Sequence, residues 1–580
     1  MILKALADYY ERMLNDPEYD VAPPGFERKA IPFLIVLDKK GNFINVRDTR
    51  TGEGKKKTAR EFIVPQGEKK TSGVKANLLW DNPQYLFGVP KTNTEKDLSR
   101  AVESLTQFTK RIEDTFFKDE EDCGIEAVKR FLYEKDFTQI FNHEYWPEII
   151  ESKANCTFIL EDDRYLVAQR PEVMARIFEA QKENKKNGQT CAVSGATEPP
   201  ADLHPSIKGV WGAQSSGANI VSFNLDAFRS FGKKQGLNAP IGQKTVFAYT
   251  TALNVLLAKG SKQRIQVGDA STVFWAKEAH QFEEDFSAFL GEPPKGEDPD
   301  YGTIRSMLSA VRTGVLPPED STPFFVLGLA PNASRIAVRF WYEGSVRDLK
   351  EKIAQHFEDI EITRAPNDRE YLSLFQLLVT TATEGKADNI LPNLGGEIAR
   401  AVFTGGGYPR TLLTGAIRRC KAEQRVTRAR AAAIKGFLVR KSRLEEKIIK
   451  EVGEMLDTTN ENIGYVLGRL FAVLERIQEQ AAYTRLNKTI RDTYFSAATS
   501  SPLVIFKRLQ ELAVHHLAKI RNSGKSTVWL DKLMGEVMGR ISADGIPATL
   551  SLEDQGRFAI GYYHQRQDFF NSYKEETKGE

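Results

Sequence analysis

Residues 458–477 read TTNENIGYVLGRLFAVLERI, and the spacing of their apolar side chains decides how the second half of the chain folds. Thr458, Thr459, Asn460 and Glu461 have the form of a capping box, in which a hydroxyl and a carboxylate satisfy the first free N–H groups of a helix. Ile463, Leu467, Leu470, Leu474 and Ile477 then recur at intervals of four and three, one apolar seam along a 3.6-residue period. Such a seam is stable only against another apolar surface.

Working outward, the sequence supplies that surface. Ser501-Pro502 starts a second helix with Phe506, Leu509, Ala513 and Leu517 on one face. Leu530, Leu533, Val537 and Ile541 form a third stripe, and Ser551 with Asp554 caps a last helix running toward Phe569. Short connections between amphipathic helices predict a bundle of about four. Helix is the dominant expectation from residue 391 onward.

Upstream the pattern changes. Residues 31–37 (IPFLIVL), DKKG and NFINVRD predict a β-hairpin, because β-prone runs flank a turn-forming Asp and Gly. Residues 156–168 and 324–342 predict two more. Helices are expected at about 96–117, at about 171–183 and around Met307. The fold class is therefore α+β, a mixed multi-domain body with β-hairpins and a C-terminal α-helical bundle. At 580 residues the chain exceeds a single core. The expected division is an N-terminal α+β domain (1–202), a central α+β region (203–390), a basic helical connector (391–454) and the bundle (455–580).

Net charge is only +3, yet its distribution is uneven. Residues 410–450 hold thirteen Lys and Arg against three Glu, a local excess of +10, so the remainder sums to −7. A solvated helix face would interleave both signs to form i,i+4 pairs. One dominant sign points instead to an anion, and Arg418, Arg419, Arg425, Arg428 and Lys435 are candidate nucleic-acid contacts. A second basic cluster, with Lys55, Lys56, Lys57, Lys69, Lys70 and Lys75, lies among glycines on expected loops. The alternative there is a solvent-exposed lysine cluster. Beside it, Ser72, Lys75 and Asn77 offer a hydroxyl, a cation and an amide suited to a groove edge.

Catalytic and metal patterns are missing. Gly524-Lys525-Ser526-Thr527 lacks the first glycine of a phosphate-binding loop, since position 519 is Lys519. His143-Glu144 lacks the second histidine of a zinc hydrolase. Glu161-Asp162-Asp163 suits turn chemistry, and Thr404-Gly405-Gly406-Gly407-Tyr408 is a weak phosphate signal that a flexible lead-in explains as well. Four cysteines, Cys123, Cys156, Cys191 and Cys420, form no CxxC pair. No apolar run approaches the length of a membrane span, and the first residues lack a signal-peptide pattern. The expectation is a cytoplasmic, cofactor-free binding subunit with no metal and no enzymatic activity.

Residues 203–254 concentrate glycine, small hydroxyls, amides and lysines as a polar contact surface would. Their QSSGANIVSFN block (214–224) and blocks at 71–89, 191–232, 237–257, 327–341 and 408–440 resemble, in order, the large subunit of the type I-C CRISPR surveillance complex, the Csd-type family of Cascade. That resemblance implies a non-catalytic subunit of an RNA-guided ribonucleoprotein in antiviral defence. Its implied partners are guide crRNA, target double-stranded DNA, Cascade backbone and crRNA-end-binding subunits, and a helicase-nuclease. The subunit would recognise the protospacer-adjacent motif, aid duplex opening and stabilise the R-loop. The loops at 72–82 and 214–219 become candidates for motif readout or wedging, with Asn77, Gln214 and Asn219 on base edges beside Ser215 and Ser216, and Lys69, Lys70 and Lys75 on phosphates. The family also implies a small subunit made from inside the same gene, for which Met455, just before the bundle, is the expected start. The alternatives are a stand-alone nucleic-acid-processing nuclease and a purely structural scaffold.

Overall fold

The structure is a computed structural model that describes all residues except 1, 17, 18, 20, 53–56, 69–72, 118–121, 184–187, 292–300, 367, 447–450, 483–485, 579 and 580. The chain divides into two compact units. One contains residues 3–205 and 221–252; the other contains 206–220 and 253–580.

The first unit is built on a four-stranded sheet in the order Phe43–Asp48, Phe33–Leu37, Cys156–Leu160, Trp80–Asp81. The predicted hairpin of the first two strands is present. The hairpin predicted at 156–168 is reduced to a single antiparallel bridge between Ile159 and Leu166. Cys156–Leu160 pairs in parallel with Phe33–Leu37, and residues 167–169 turn into a short 3-10 helix. Both central strands are buried along their whole length, as strands covered on both faces are. On one side Phe33, Ile35 and Phe158 join a core with Phe108, Ile112 and Phe131 from helices Glu95–Thr115 and Cys123–Glu134. On the other, Leu34, Val36 and Ile159 pack with Trp80 and Val64.

The second unit opens on an antiparallel sheet of Arg264–Val267, Ala270–Ala276, Pro323–Asn332 and Arg335–Ser345, the last two forming the predicted hairpin. Its inner face, including Phe274, Phe324 and Phe340, meets helices Phe282–Leu290, Val346–Ile360 and Leu394–Thr404. That core continues without a break through helices Arg410–Glu423 and Arg428–Leu444 into the C-terminal bundle. The expected boundaries at 390 and 454 therefore fall inside one core. The reason is helix Arg428–Leu444, which packs on both Val346–Ile360 and Leu552–Lys578.

Five helices form the bundle: Ile463–Ala481, Ile490–Ser500, Pro502–Asn522, Val528–Met538 and Leu552–Lys578. The seam residues Leu467, Leu470, Leu474 and Ile477 are buried. The predicted capping box is replaced by a simple N-cap a few residues on: Asn462 Oδ1 accepts from the N–H groups of Gly464 and Tyr465, while Thr459 donates to Asp457 in the turn before. Ser551 caps the last helix as predicted, accepting from the Asp554 N–H at 3.1 Å. Glycine sets the distance between helices Ile463–Ala481 and Leu552–Lys578. A Cβ on Gly468 would stand 2.0 Å from the Phe558 carbonyl oxygen, and one on Gly561 2.2 Å from that of Tyr465.

Candidate nucleic-acid interface

In the first unit the basic loop follows strand Glu61–Pro65, which pairs with Phe26–Ala30. Lys55, Lys56, Lys69, Lys70 and Ser72 lie outside the described residues. Lys57 and Lys75 are exposed, Lys57 standing 3.9 Å from Asp48. Arg50 has turned inward over the Phe33 ring and pairs with Asp48 at 2.7 Å and Glu148 at 2.5 Å, holding both carboxyls below their usual range. Asn77 requires a correction. It is buried, its Oδ1 accepts from the Glu68 N–H at 2.9 Å, and its own N–H donates to Asp81 at 2.9 Å. With its oxygen taken and its side chain buried, this amide pins the loop and is not presented to a base.

In the second unit the Ser206–Ile220 segment is held at both ends. Ile207 and Ala218 exchange hydrogen bonds of 2.8 and 2.9 Å, and the Asn219 carbonyl accepts from the Ile336 N–H at 3.0 Å. Between them a turn closes from the Gly217 N–H to the Gln214 carbonyl at 2.9 Å and leaves Gln214, Ser215 and Ser216 exposed. Gly217, with φ of 90°, is required: a Cβ there would meet the Ile207 oxygen at 2.8 Å. Asn219 is half-buried at the base of this tip, so the tip itself presents one amide and two hydroxyls. Trp211 is exposed nearby, its N–H fixed to Ser271 Oγ at 2.9 Å.

The basic segment at 410–450 is rearranged most by the tertiary fold. Arg428 donates to the carbonyls of Arg369 and Glu370. Lys435 is buried and donates to the carbonyls of Glu358 and Asp359 at 3.2 and 3.0 Å, at the end of helix Val346–Ile360. Burial lowers its proton affinity. Arg440, also buried, pairs with Asp359 at 2.7 Å and donates to Ala401 and Gly406 at the end of helix Leu394–Thr404. Helix C-termini leave carbonyls unsatisfied and carry partial negative charge, and these cations complete them. Lys435 is therefore corrected from a nucleic-acid contact to an internal helix cap, and Arg428 to a brace on the loop carbonyls of Arg369 and Glu370. Arg419 is drawn into a pair with Glu423 at 2.6 Å. Arg418 and Arg425 remain exposed. The glycines at 405–407 end a helix, Gly405 taking φ of 74°, and Gly406 serves as an acceptor for Arg440.

One cluster escaped the sequence reading. Cys191 Sγ accepts from the N–H groups of Val193, Ser194 and Gly242 at 3.3–3.4 Å, and although burial opposes ionisation these donors pull its thiol down to about 7. Buried Glu198 accepts from Ser194 Oγ, Thr245 Oγ1 and the Lys244 N–H. Gly242 permits this contact, since a Cβ would lie 1.9 Å from the Glu198 carboxyl carbon. The blocks at 191–198 and 237–245 are thus one local structure. Among the described residues, no group of three or more His, Cys, Asp or Glu is placed to hold a metal ion, and no helix is long and apolar enough to cross a membrane.

Each unit is an α+β body, the first exposing Lys57 and Lys75 and the second exposing the Gln214-Ser215-Ser216 tip, Arg418 and Arg425. A family model for CRISPR-associated protein (Cas_Csd1) matches residues 6–570. The chain belongs to this family, and the extent of the match is consistent with a type I-C Cascade large subunit. No curated protein matches the chain.

Proposed function

We propose that this chain is the non-catalytic large subunit of a cytoplasmic type I-C surveillance complex. It binds target duplex at the protospacer-adjacent motif, helps open it, stabilises the R-loop and gives a helicase-nuclease its landing surface. The observation that carries the reading is the family match across residues 6–570. In this scheme guide pairing reads the sequence, while protein groups read only a short duplex motif. The exposed Gln214-Ser215-Ser216 tip suits that task, because a short amide and hydroxyls reach base edges without a long flexible stem. Lys57, Lys75, Arg418 and Arg425 would add phosphate contacts.

Purification together with its companion Cas proteins tests the class. The complex should carry RNA of one uniform length and bind target duplex; metal-dependent cleavage by the isolated chain would favour the nuclease reading instead. Replacing Gln214, Ser215 and Ser216 together by alanine should flatten discrimination among motif variants by about tenfold or more, with RNA content unchanged. Retained discrimination would remove this tip from motif readout.

The same reading includes a separate small subunit of 126 residues beginning at Met455, which is exposed ahead of the bundle. Such a product would keep all five bundle helices but lack Ile434 and Leu413, which cover Gly556 in the full chain. Its uncovered strip would need a partner. Changing the Met455 codon to a non-start codon should remove this companion from the purified complex; its persistence would refute the start site.

A further inference from the structure

Residues 224–235, NLDAFRSFGKKQ, form a loop in the first unit whose tip is a tight turn. The Lys233 N–H donates to the Ser230 carbonyl at 2.9 Å, and the two central residues, Phe231 and Gly232, have φ of 51° and 68°. Positive φ at both positions is the signature of a type I′ turn, which favours Asn, Asp or Gly at its first central residue. Here that residue is phenylalanine. A bulky side chain with positive φ is an outlier that persists only where the surroundings impose it, and such positions gather at functional sites.

Asn238 imposes it. Its Oδ1 accepts from the Ser230 N–H at 2.9 Å, and its Nδ2 donates to the carbonyls of Lys233 and Gln235 at 3.3 and 2.9 Å. The brace grips both flanks of the turn and leaves its apex to solvent. Phe231 is 97% exposed, so its ring contributes nothing to the core. An exposed aromatic needs no explanation by itself; one held at a turn apex in an unfavourable backbone conformation does.

The charge around it identifies the partner. The loop carries Arg229, Lys233 and Lys234 against Asp226 alone. Arg229 is closed on Asp226 at 2.7 Å, while Lys233 and Lys234 are exposed and form no ion pair with a described residue. A flat apolar ring followed at once by two available ammonium groups matches the alternation of base and phosphate along a nucleic-acid strand. An apolar protein patch would gain nothing from the lysines.

We propose that this turn is a base-stacking fingertip: Phe231 stacks on an unstacked nucleobase of the target DNA while Lys233 and Lys234 hold the flanking phosphates. The inference rests on the proposed role in binding target DNA and adds the residue that meets a base face. Phe231→Asn separates structure from function, because asparagine suits the turn better than phenylalanine yet removes the ring.

The test uses the assembled, guide-loaded complex and target duplexes carrying 2-aminopurine at successive positions. Phe231→Asn should keep subunit and RNA content and a thermal midpoint at or above wild type. It should lose the fluorescence change at one position and bind DNA about 5- to 100-fold more weakly. Phe231→Trp should keep both readouts. Lys233→Ala with Lys234→Ala should reduce the slope of log affinity against log salt by about two. Wild-type affinity and an unchanged fluorescence pattern in Phe231→Asn would overturn the fingertip, as would loss of a protein subunit, which would assign the ring to a protein contact. Failure of the wild-type complex itself to bind target duplex would overturn the parent reading and the fingertip with it.

Discussion

Helix Arg428–Leu444 carries six Lys and Arg side chains, and the loop at 224–235 carries three. In the helix all six are engaged: Arg428 and Lys435 on carbonyls, Arg430 on Glu423, Arg440 and Arg443 on Asp359, and Lys441 on Glu553. In the loop, one is paired and two are not. The denser run of charge is therefore the one with less to offer an outside anion. Local charge density reports how many cations a segment has; the carboxylates and carbonyls that the fold packs around it decide how many are left over.

Breaking the structural side of this contrast should have the largest effect. Arg440→Ala leaves buried Asp359 with Arg443 in place of two arginines and strips donors from the carbonyls of Ala401 and Gly406, a loss of roughly 3 kcal/mol, read as a lower thermal midpoint by circular dichroism. A midpoint equal to wild type would show that the helix does not depend on its internal cations. Gly468→Ala tests the core those cations serve. Its methyl would meet the Phe558 carbonyl oxygen, so helices Ile463–Ala481 and Leu552–Lys578 must separate at a cost of about 3 kcal/mol.

A pH titration sharpens the same point from a buried neutral base. His564, packed against Tyr465 with a 2.9 Å hydrogen bond, has its pKa pushed down to about 4 by burial, then by the charge of Lys435. The unfolded chain binds this proton near pH 6.5, so the native state is favoured above that pH and loses up to about 3 kcal/mol as pH falls toward 4. His564→Gln should flatten stability across that window; an unaltered pH profile would show that His564 does not govern it.

Smaller effects probe the exposed side. Asn77→Ala should cost about 1 to 2 kcal/mol, since the half-buried Glu68 N–H loses its acceptor and the buried Asn77 site is left underfilled, while motif preference stays unchanged. A motif-selective loss at constant stability would return Asn77 to the readout surface. Arg418→Ala and Arg425→Ala should shift stability by no more than about 0.5 kcal/mol. If they touch phosphate, each lowers the salt slope of DNA binding by about one; no change in slope would remove them from the interface.

Much of the architecture is legible locally. The seam from Leu467 to Ile477, the face from Phe506 to Leu517 and the hairpin of Pro323–Asn332 with Arg335–Ser345 follow from periodicity and turn residues. The strand Cys156–Leu160 was legible as a strand but not in its pairing, because a parallel partner lies far away in sequence and leaves no turn signal. The fifth bundle helix, Ile490–Ser500, went unseen. Its buried positions are only Ile490, Phe495, Ala498 and Thr499, too few and too mixed for a clean stripe.

The candidate site was less legible. Gln214, Ser215 and Ser216 are exposed as expected, since a glycine-framed turn is a local property. Asn77 is not, because its acceptor role depends on how the chain folds back at Glu68. Phe231 carried no sequence signal, for positive φ at a phenylalanine appears only once Asn238 grips the turn.

By itself the sequence determined the class of fold, the helical C-terminal half and the family, all of which rest on neighbours a few residues apart or on ordered blocks of residues. Only the tertiary structure decided which cations are available and that residues 253–580 share one compact unit. Arg440 and Asp359 are 81 residues apart, and Lys435 reaches a carbonyl 76 residues away. No local period or charge count contains such pairs; they exist because helix C-termini brought into the core must have their carbonyls satisfied, and the nearest buried cations were used to do it.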